Sequence, residues 1–187
     1  MTLESGTSYV IDTNVVLDMQ LGAGRELSLE DMQAVLDTDD LVAAKLVAAR
    51  QLSYRARSIT ELRQTLSQRG FRPVTIDEVI VRFTELGYPD DADFARRWVA
   101  NREEMAPRGT RLLLRELRQK GIGTELAEQT LADAELDDFD TALALGSHRL
   151  ERMSGLDRET QRRRLAGFLE RRGFSYETVR RVDRELF

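Results

Sequence analysis

Two sets of side chains have the character of a functional site. The first is acidic. Asp12 and Asn14 close an apolar, β-branched run in YVIDTNVVLDMQ (residues 9–20), and further aspartates stand at Asp90, Asp91, Asp137, Asp138 and Asp140. Carboxylates that converge on a divalent cation can activate water for phosphodiester cleavage. The second set is cationic: Arg55, Arg57 and Arg63; then Arg108, Arg111, Arg115, Arg118 and Lys120; then Arg162, Arg163, Arg164, Arg171 and Arg172. Guanidinium forks at such density can meet DNA phosphates or an acidic protein surface. Arg111, Arg115 and Arg118, spaced by four and three, share one face of a helix. Other chemistries lack their starting groups. There is no cysteine for a thiol nucleophile or thiolate metal site. The single histidine, His148, has no serine or cysteine in a triad arrangement, and no glycine-rich loop cradles phosphate. No catalytic residue, metal or cofactor is expected.

The elements that must position these groups read as helices from about residue 40 onward. SITELRQTLSQRG (58–70) opens with Ser58 and Glu61 in capping-box spacing and stops at a glycine. TIDEVIVRFTELG (75–87) repeats that grammar with Thr75 and Glu78. Helical stripes follow over 91–105, 109–121, 124–136, 138–153, 157–173 and 175–187. Phe94 and Trp98 belong to a core stripe by their spacing. LSQRGF (66–71), LRQKGI (117–122) and LERRGF (169–174) share one pattern of Leu, two polar residues, a base, Gly and an apolar residue. They recur at intervals of 51 and 52 residues, counted from Gly70, Gly121 and Gly173. The period defines three repeats of three short helices each. Helices this short are marginal alone, and stacking gives them a common core. The expected fold is mainly α: an N-terminal β-hairpin and helix module over 1–40, then three-helix repeats over 41–88, 89–136 and 137–187, in an elongated curved array. In the N-terminal module SYVI and VVLDM would form the hairpin strands, with DTN as their turn and a helix from Ser28 to about residue 37. A second helix would begin near residue 41.

The net charge of −5 conceals blocks. Residues 1–50 carry 9 acids against 3 bases, residues 51–122 carry 14 bases against 10 acids, residues 123–148 carry 7 acids and no Lys or Arg, and residues 149–187 carry 11 bases against 7 acids. All bases except Lys45 and Lys120 are arginine, the residue whose fork matches phosphate and carboxylate. No signal peptide or long apolar run is evident, so a cytoplasmic protein without a membrane segment is expected.

An ordered series of stretches resembles the RecX family, bacterial modulators of the RecA recombinase. ARQLSYRARSITELRQTLSQRGF (49–71) resembles its first repeat. LGYPDDADFARRWVANR (86–102) and APRGTRLLLRELRQKGI (106–122) resemble its second, and RRRLAGFLERRGFSYETVRRV (162–182) its closing repeat. Pro89 and Ala106 depart from the commoner aliphatic residue and Gly, both in loops between helices. The resemblance implies a non-enzymatic protein that binds the RecA–single-stranded DNA filament in its helical groove; the repeats and the charge blocks point to a monomer that bridges neighbouring protomers. The resemblance further implies inhibition of recombinase, ATPase and coprotease activity in DNA repair, homologous recombination and the SOS response. These arginines and Lys120 would then face RecA or DNA. A general nucleic-acid-binding helical protein is the alternative. The opening stretch also resembles the first strand of a PIN-type metal-dependent RNase, but such an enzyme needs a parallel sheet, and no continuous Val/Ile/Leu strand runs follow residue 40.

Overall fold

In the computed structural model, which describes residues 1–187, the chain forms ten helices. These fall into two compact units, Met1–Asp90 and Asp91–Phe187.

The first unit contains α1 (Thr13–Asp18), α2 (Leu29–Tyr54), α3 (Ile59–Gln68) and α4 (Pro73–Glu85). The expected hairpin is absent. Residues 1–9 make a tight local loop with one antiparallel bridge between Thr2 and Ser8, and VVLDM lies in or beside α1. Asp12 is the N-cap of that helix and accepts from the Asn14 backbone N–H at 2.8 Å. A two-stranded hairpin is marginal without a sheet to join. A capped turn of helix that buries Val15 and packs on α2 has an apolar partner instead. The Asp39 carboxylate of α2 accepts from the Asp12 backbone N–H at 2.6 Å and ties the segment down.

The two helices expected on either side of residue 40 are one. Ser28 and Asp31 cap α2 reciprocally, and the helix then runs unbroken to Tyr54. The run DTDD (37–40) is poor in helix formers, since Asp and Thr favour caps over helix interiors. Here its side chains are engaged across and along the helix. Thr38 donates to the Ala34 carbonyl, Asp40 accepts from the Thr75 hydroxyl at 2.6 Å, and Asp37 pairs with Arg72 at 2.6 Å. The helix α4 also begins two residues before its expected start. Pro73 takes the first turn, where a missing N–H costs nothing, so Thr75 bonds Asp40 and no box with Glu78 forms. Ala44, Ala48, Leu62, Leu66, Ile76, Val79 and Ile80 make the core that α2, α3 and α4 share.

The second unit holds two three-helix groups. One is α5 (Asp91–Met105), α6 (Thr110–Gln119) and α7 (Thr124–Asp133). The other is α8 (Asp138–Glu151), α9 (Arg158–Arg171) and α10 (Tyr176–Leu186). The basic-Gly-apolar signature is a Schellman motif repeated three times. Gly70, Gly121 and Gly173 adopt φ of 88°, 82° and 89°. The next residue, Phe71, Ile122 or Phe174, donates back to the carbonyl of Leu66, Leu117 or Leu169 at 3.3, 3.0 and 3.2 Å. Only glycine enters the left-handed region without steric cost, and the apolar residue after it covers the helix end. The leucines one turn apart in each middle helix (Leu62 and Leu66, Leu113 and Leu117, Leu165 and Leu169) are all buried. That pair is the common core of the repeats.

Candidate interaction surface

The middle helix α6 carries the best-defined cationic face. Leu113, Glu116 and Leu117 point inward, which leaves Arg111, Arg115 and Arg118 on the outer side, all exposed. Both helix ends are held. Gly109 offers no side chain to cap the start. Asp138, at the start of α8, reaches across instead and accepts from the backbone N–H and the hydroxyl of Thr110 at 3.0 and 2.9 Å. The Schellman turn closes the other end. Arg118 pairs with Glu128 at 3.3 Å. Arg111 and Arg115 make no ion pair, so their forks are available to a phosphate or a foreign carboxylate.

The same helix turns a carboxylate inward. Glu116 is 8% exposed. One oxygen accepts from the Trp98 indole N–H at 3.0 Å and from the Arg102 Nε at 2.9 Å, and the other meets the Arg108 guanidinium. Arg102 and Lys120 lie over the Trp98 ring at 4.3 and 4.9 Å, and Phe94 stacks on its edge of the core with centroids 5.8 Å apart. Burial, reinforced by the like charges of Arg102 and Arg172, pushes Arg108 below its ordinary value. An arginine keeps its proton regardless, so the consequence is a dependence on Glu116. Arg108 and Lys120, grouped by sequence with the outer face, thus help to build the core of the repeat.

The remaining candidates separate in the same way. Arg55 pairs with Glu61 at 2.8 Å, Arg63 with Asp77 at 2.5 Å, and Arg57 donates to the Gln51 carbonyl at 3.3 Å. Burial, and then the charge of Arg55, lowers the Arg57 value. The first-repeat cluster is therefore bound internally. In the third repeat Arg162 grips Asp183 through two bonds, at 2.9 and 2.6 Å. Arg172 donates to the Pro107 carbonyl at 3.1 Å and lies over Phe168. Arg163, Arg164 and Arg171 are exposed and make no ion pair. Arg180 on α10 belongs with them: the run RRVDR (180–184) carries a further basic cluster that the sequence reading passed over.

The acidic set does not converge. Asp12 caps α1, Asp137 caps α8 through the backbone of Phe139 and Asp140, and Asp138 caps α6. Asp91 begins α5, in its first turn. No group of three or more His, Asp or Glu is placed to hold a metal ion. No helix is long and apolar enough to cross a membrane.

Comparison with known proteins matches this architecture piece by piece. The family models described as the first, second and third three-helix domains of RecX match residues 44–83, 90–131 and 135–182. Regulatory protein RecX of Mycobacterium sp. (strain JLS) is 41% identical over 132 residues, covering 67% of this chain and 72% of the relative. That of Streptomyces coelicolor is 33% identical over 148 residues, covering 79% of each. A crystal structure of a regulatory protein RecX superposes with a TM-score of 0.76 at 18% identity, over 98% of this chain and 91% of the other. The RecX crystal structure from Lactobacillus salivarius gives 0.70 at 23% identity, over 80% and 97%.

Proposed function

The chain belongs to the RecX family of regulatory proteins, and from that premise we propose that it regulates the RecA recombinase by binding, not by catalysis. It engages the RecA–single-stranded DNA filament in the cytoplasm as a monomer and restrains strand exchange and ATP hydrolysis. The observation that carries this reading is the outer face of α6. Arg111 and Arg115 are exposed and uncommitted on a helix fixed at both ends. Long side chains on a fixed helix lose less freedom on binding than the same groups on a loop. A chain with three helical domains also offers several contacts to a filament of identical protomers. Linked contacts of modest strength sum to tight attachment, which suits a regulator that acts below stoichiometry.

The test is single-stranded-DNA-dependent ATP hydrolysis by the cognate RecA, with this protein titrated well below one per recombinase protomer. Inhibition is expected, and Arg111→Glu with Arg115→Glu should abolish it while leaving the thermal unfolding of the protein unchanged. No inhibition by the parent protein, together with tight binding to bare DNA that collapses as salt rises, would replace the filament reading with a general nucleic-acid binder.

A further inference from the structure

The three repeats can be laid over one another by their Schellman glycines, and the third differs where its second and third helices meet. The residue seven before the glycine is Arg63 in the first repeat, Leu114 in the second and Ala166 in the third. The residue seven after it is Asp77, Glu128 and Arg180. In the first repeat Arg63 and Asp77 form an ion pair across the helix pair at 2.5 Å, and in the second Arg118 and Glu128 do the same at 3.3 Å. The third repeat has lost the acid and gained a base, and alanine replaces the long side chain beside it. Its bridge, Arg162 to Asp183, has moved to the far end of the helix pair. Between α9 and α10 the middle stays open as a groove of about 310 Å³, floored by Leu165, Ala166, Leu169 and Val179.

The rim of this groove is basic. Arg163 and Arg180 stand on it without an ion pair, and the Arg180 guanidinium lies over the Tyr176 ring at 5.8 Å, with that ring 67% exposed. Two acids also line it. Asp183 is neutralised by Arg162, which holds its carboxyl below the ordinary range. Glu170 is left as one rim carboxylate against the guanidiniums of Arg163 and Arg180, which form no ion pair although their charges reach Asp157 and Asp183. The surrounding field has the same sign, since residues 158–186 carry nine arginines against five acids in a chain whose net charge is −5.

We propose that the α9–α10 groove is a docking site for an acidic segment of a protein partner, which seats one leucine- or phenylalanine-sized side chain on the aliphatic floor. The acids of that segment then meet Arg163 and Arg180. Charge complementarity sets the sign of the partner, and the floor sets its class. A nucleic acid would use the arginines and the Tyr176 face but would gain little from a leucine-lined trough, whereas a peptide anchor fills it. The proposal stands independently of what the α6 face binds.

The experiment uses the full chain and a fluorescein-labelled synthetic peptide with a single Leu-Phe pair flanked by Glu and Asp. Its binding is read by anisotropy against a control peptide with alanines at the apolar pair and against labelled oligothymidine. The decisive variant is Ala166→Arg with Arg180→Asp, which installs in the third repeat the ion pair the first already contains and so has a folding precedent in this chain. Arg163→Glu, on an exposed and unpaired position, is the second variant. The expected result is at least about a tenfold loss of peptide affinity in each variant and with the alanine peptide, at unchanged helical content. The proposal is overturned if the double variant binds the peptide as the parent does, or if the alanine peptide binds equally well. It is also overturned if oligothymidine competes the peptide off through Arg163 and Arg180, or if sedimentation shows the groove occupied by a second copy of the chain.

Discussion

Neutralising Glu116 should cost far more than neutralising its neighbour Glu128, although each is a carboxylate paired with arginine. Glu116→Gln preserves shape but leaves one acceptor oxygen. If that oxygen keeps Trp98 and Arg102, the amide N–H₂ faces the Arg108 guanidinium, donor against donor. Breaking a buried ion pair on one side costs roughly 3–5 kcal/mol. The arginine side chains here retain 23% and 28% exposure, so water recovers part of that, and about 2–3 kcal/mol is the expected loss. For the Asp91–Phe187 unit, at the size where each kcal/mol shifts the midpoint by about 4–8 °C, Tm should fall by about 10–20 °C. Trp98 is the only tryptophan and lies in the affected cluster, so urea and thermal unfolding followed by its fluorescence read this unit directly. Glu128→Gln removes a pair whose side chains are 49% and 59% exposed and should cost under about 1 kcal/mol. Equal losses in the two variants, or a Glu116→Gln loss below about 0.5 kcal/mol, would refute the claim that burial gives the Glu116 cluster its weight.

Gly70→Ala and Gly173→Ala impose the same backbone penalty at φ near 90°, about 1–2 kcal/mol. An added Cβ meets nothing at Gly70, but at Gly173 it falls 2.2 Å from the Leu112 Cβ. Overpacking there adds about 1–3 kcal/mol, so hydrogen exchange should show the second variant opening its unit more than the first opens its own. The pH profile offers another check. Asp183 titrates below the ordinary aspartate value of 3.8, chiefly through its hydrogen bonds from Arg162. A carboxylate with a depressed folded pKa contributes stability above the unfolded value and loses it as pH falls through the folded one. Acid unfolding of the second unit should therefore steepen below about pH 4, and Asp183→Asn should flatten that limb while lowering stability at neutral pH.

Local sequence pattern accounts for those parts of the fold whose causes lie within a few residues. Ser58, Asp157 and Ser175 each cap the helix that follows them by bonding an N–H three residues on. The glycine stops are legible because a Schellman turn is a six-residue object, and three copies at near-constant spacing reveal the repeat. Helical stripes place Leu62, Leu113 and Leu165 in the core for the same reason. The outer face of α6 was also readable, since residues four and three apart on a helix must share a side. Tyr54 and Tyr88 mark where such reasoning ends: large aromatic side chains ordinarily find cover, yet both are exposed.

Which charges are used up depends on contacts between segments far apart in the chain. Arg108 and Arg111 are three residues apart and equivalent in composition, but one is drawn in by Glu116 and the other is left to solvent. Asp138 has the look of its own helix's cap and serves instead as the cap of α6, 28 residues earlier in the chain. The run at residues 37–40 is poor in helix formers and is carried through the middle of α2 by Asp12, Arg72 and Thr75. In each case the deciding partner is distant in sequence. A local pattern records which groups a backbone can offer, whereas the free energy of a charge or an orphan N–H depends on what the fold brings beside it.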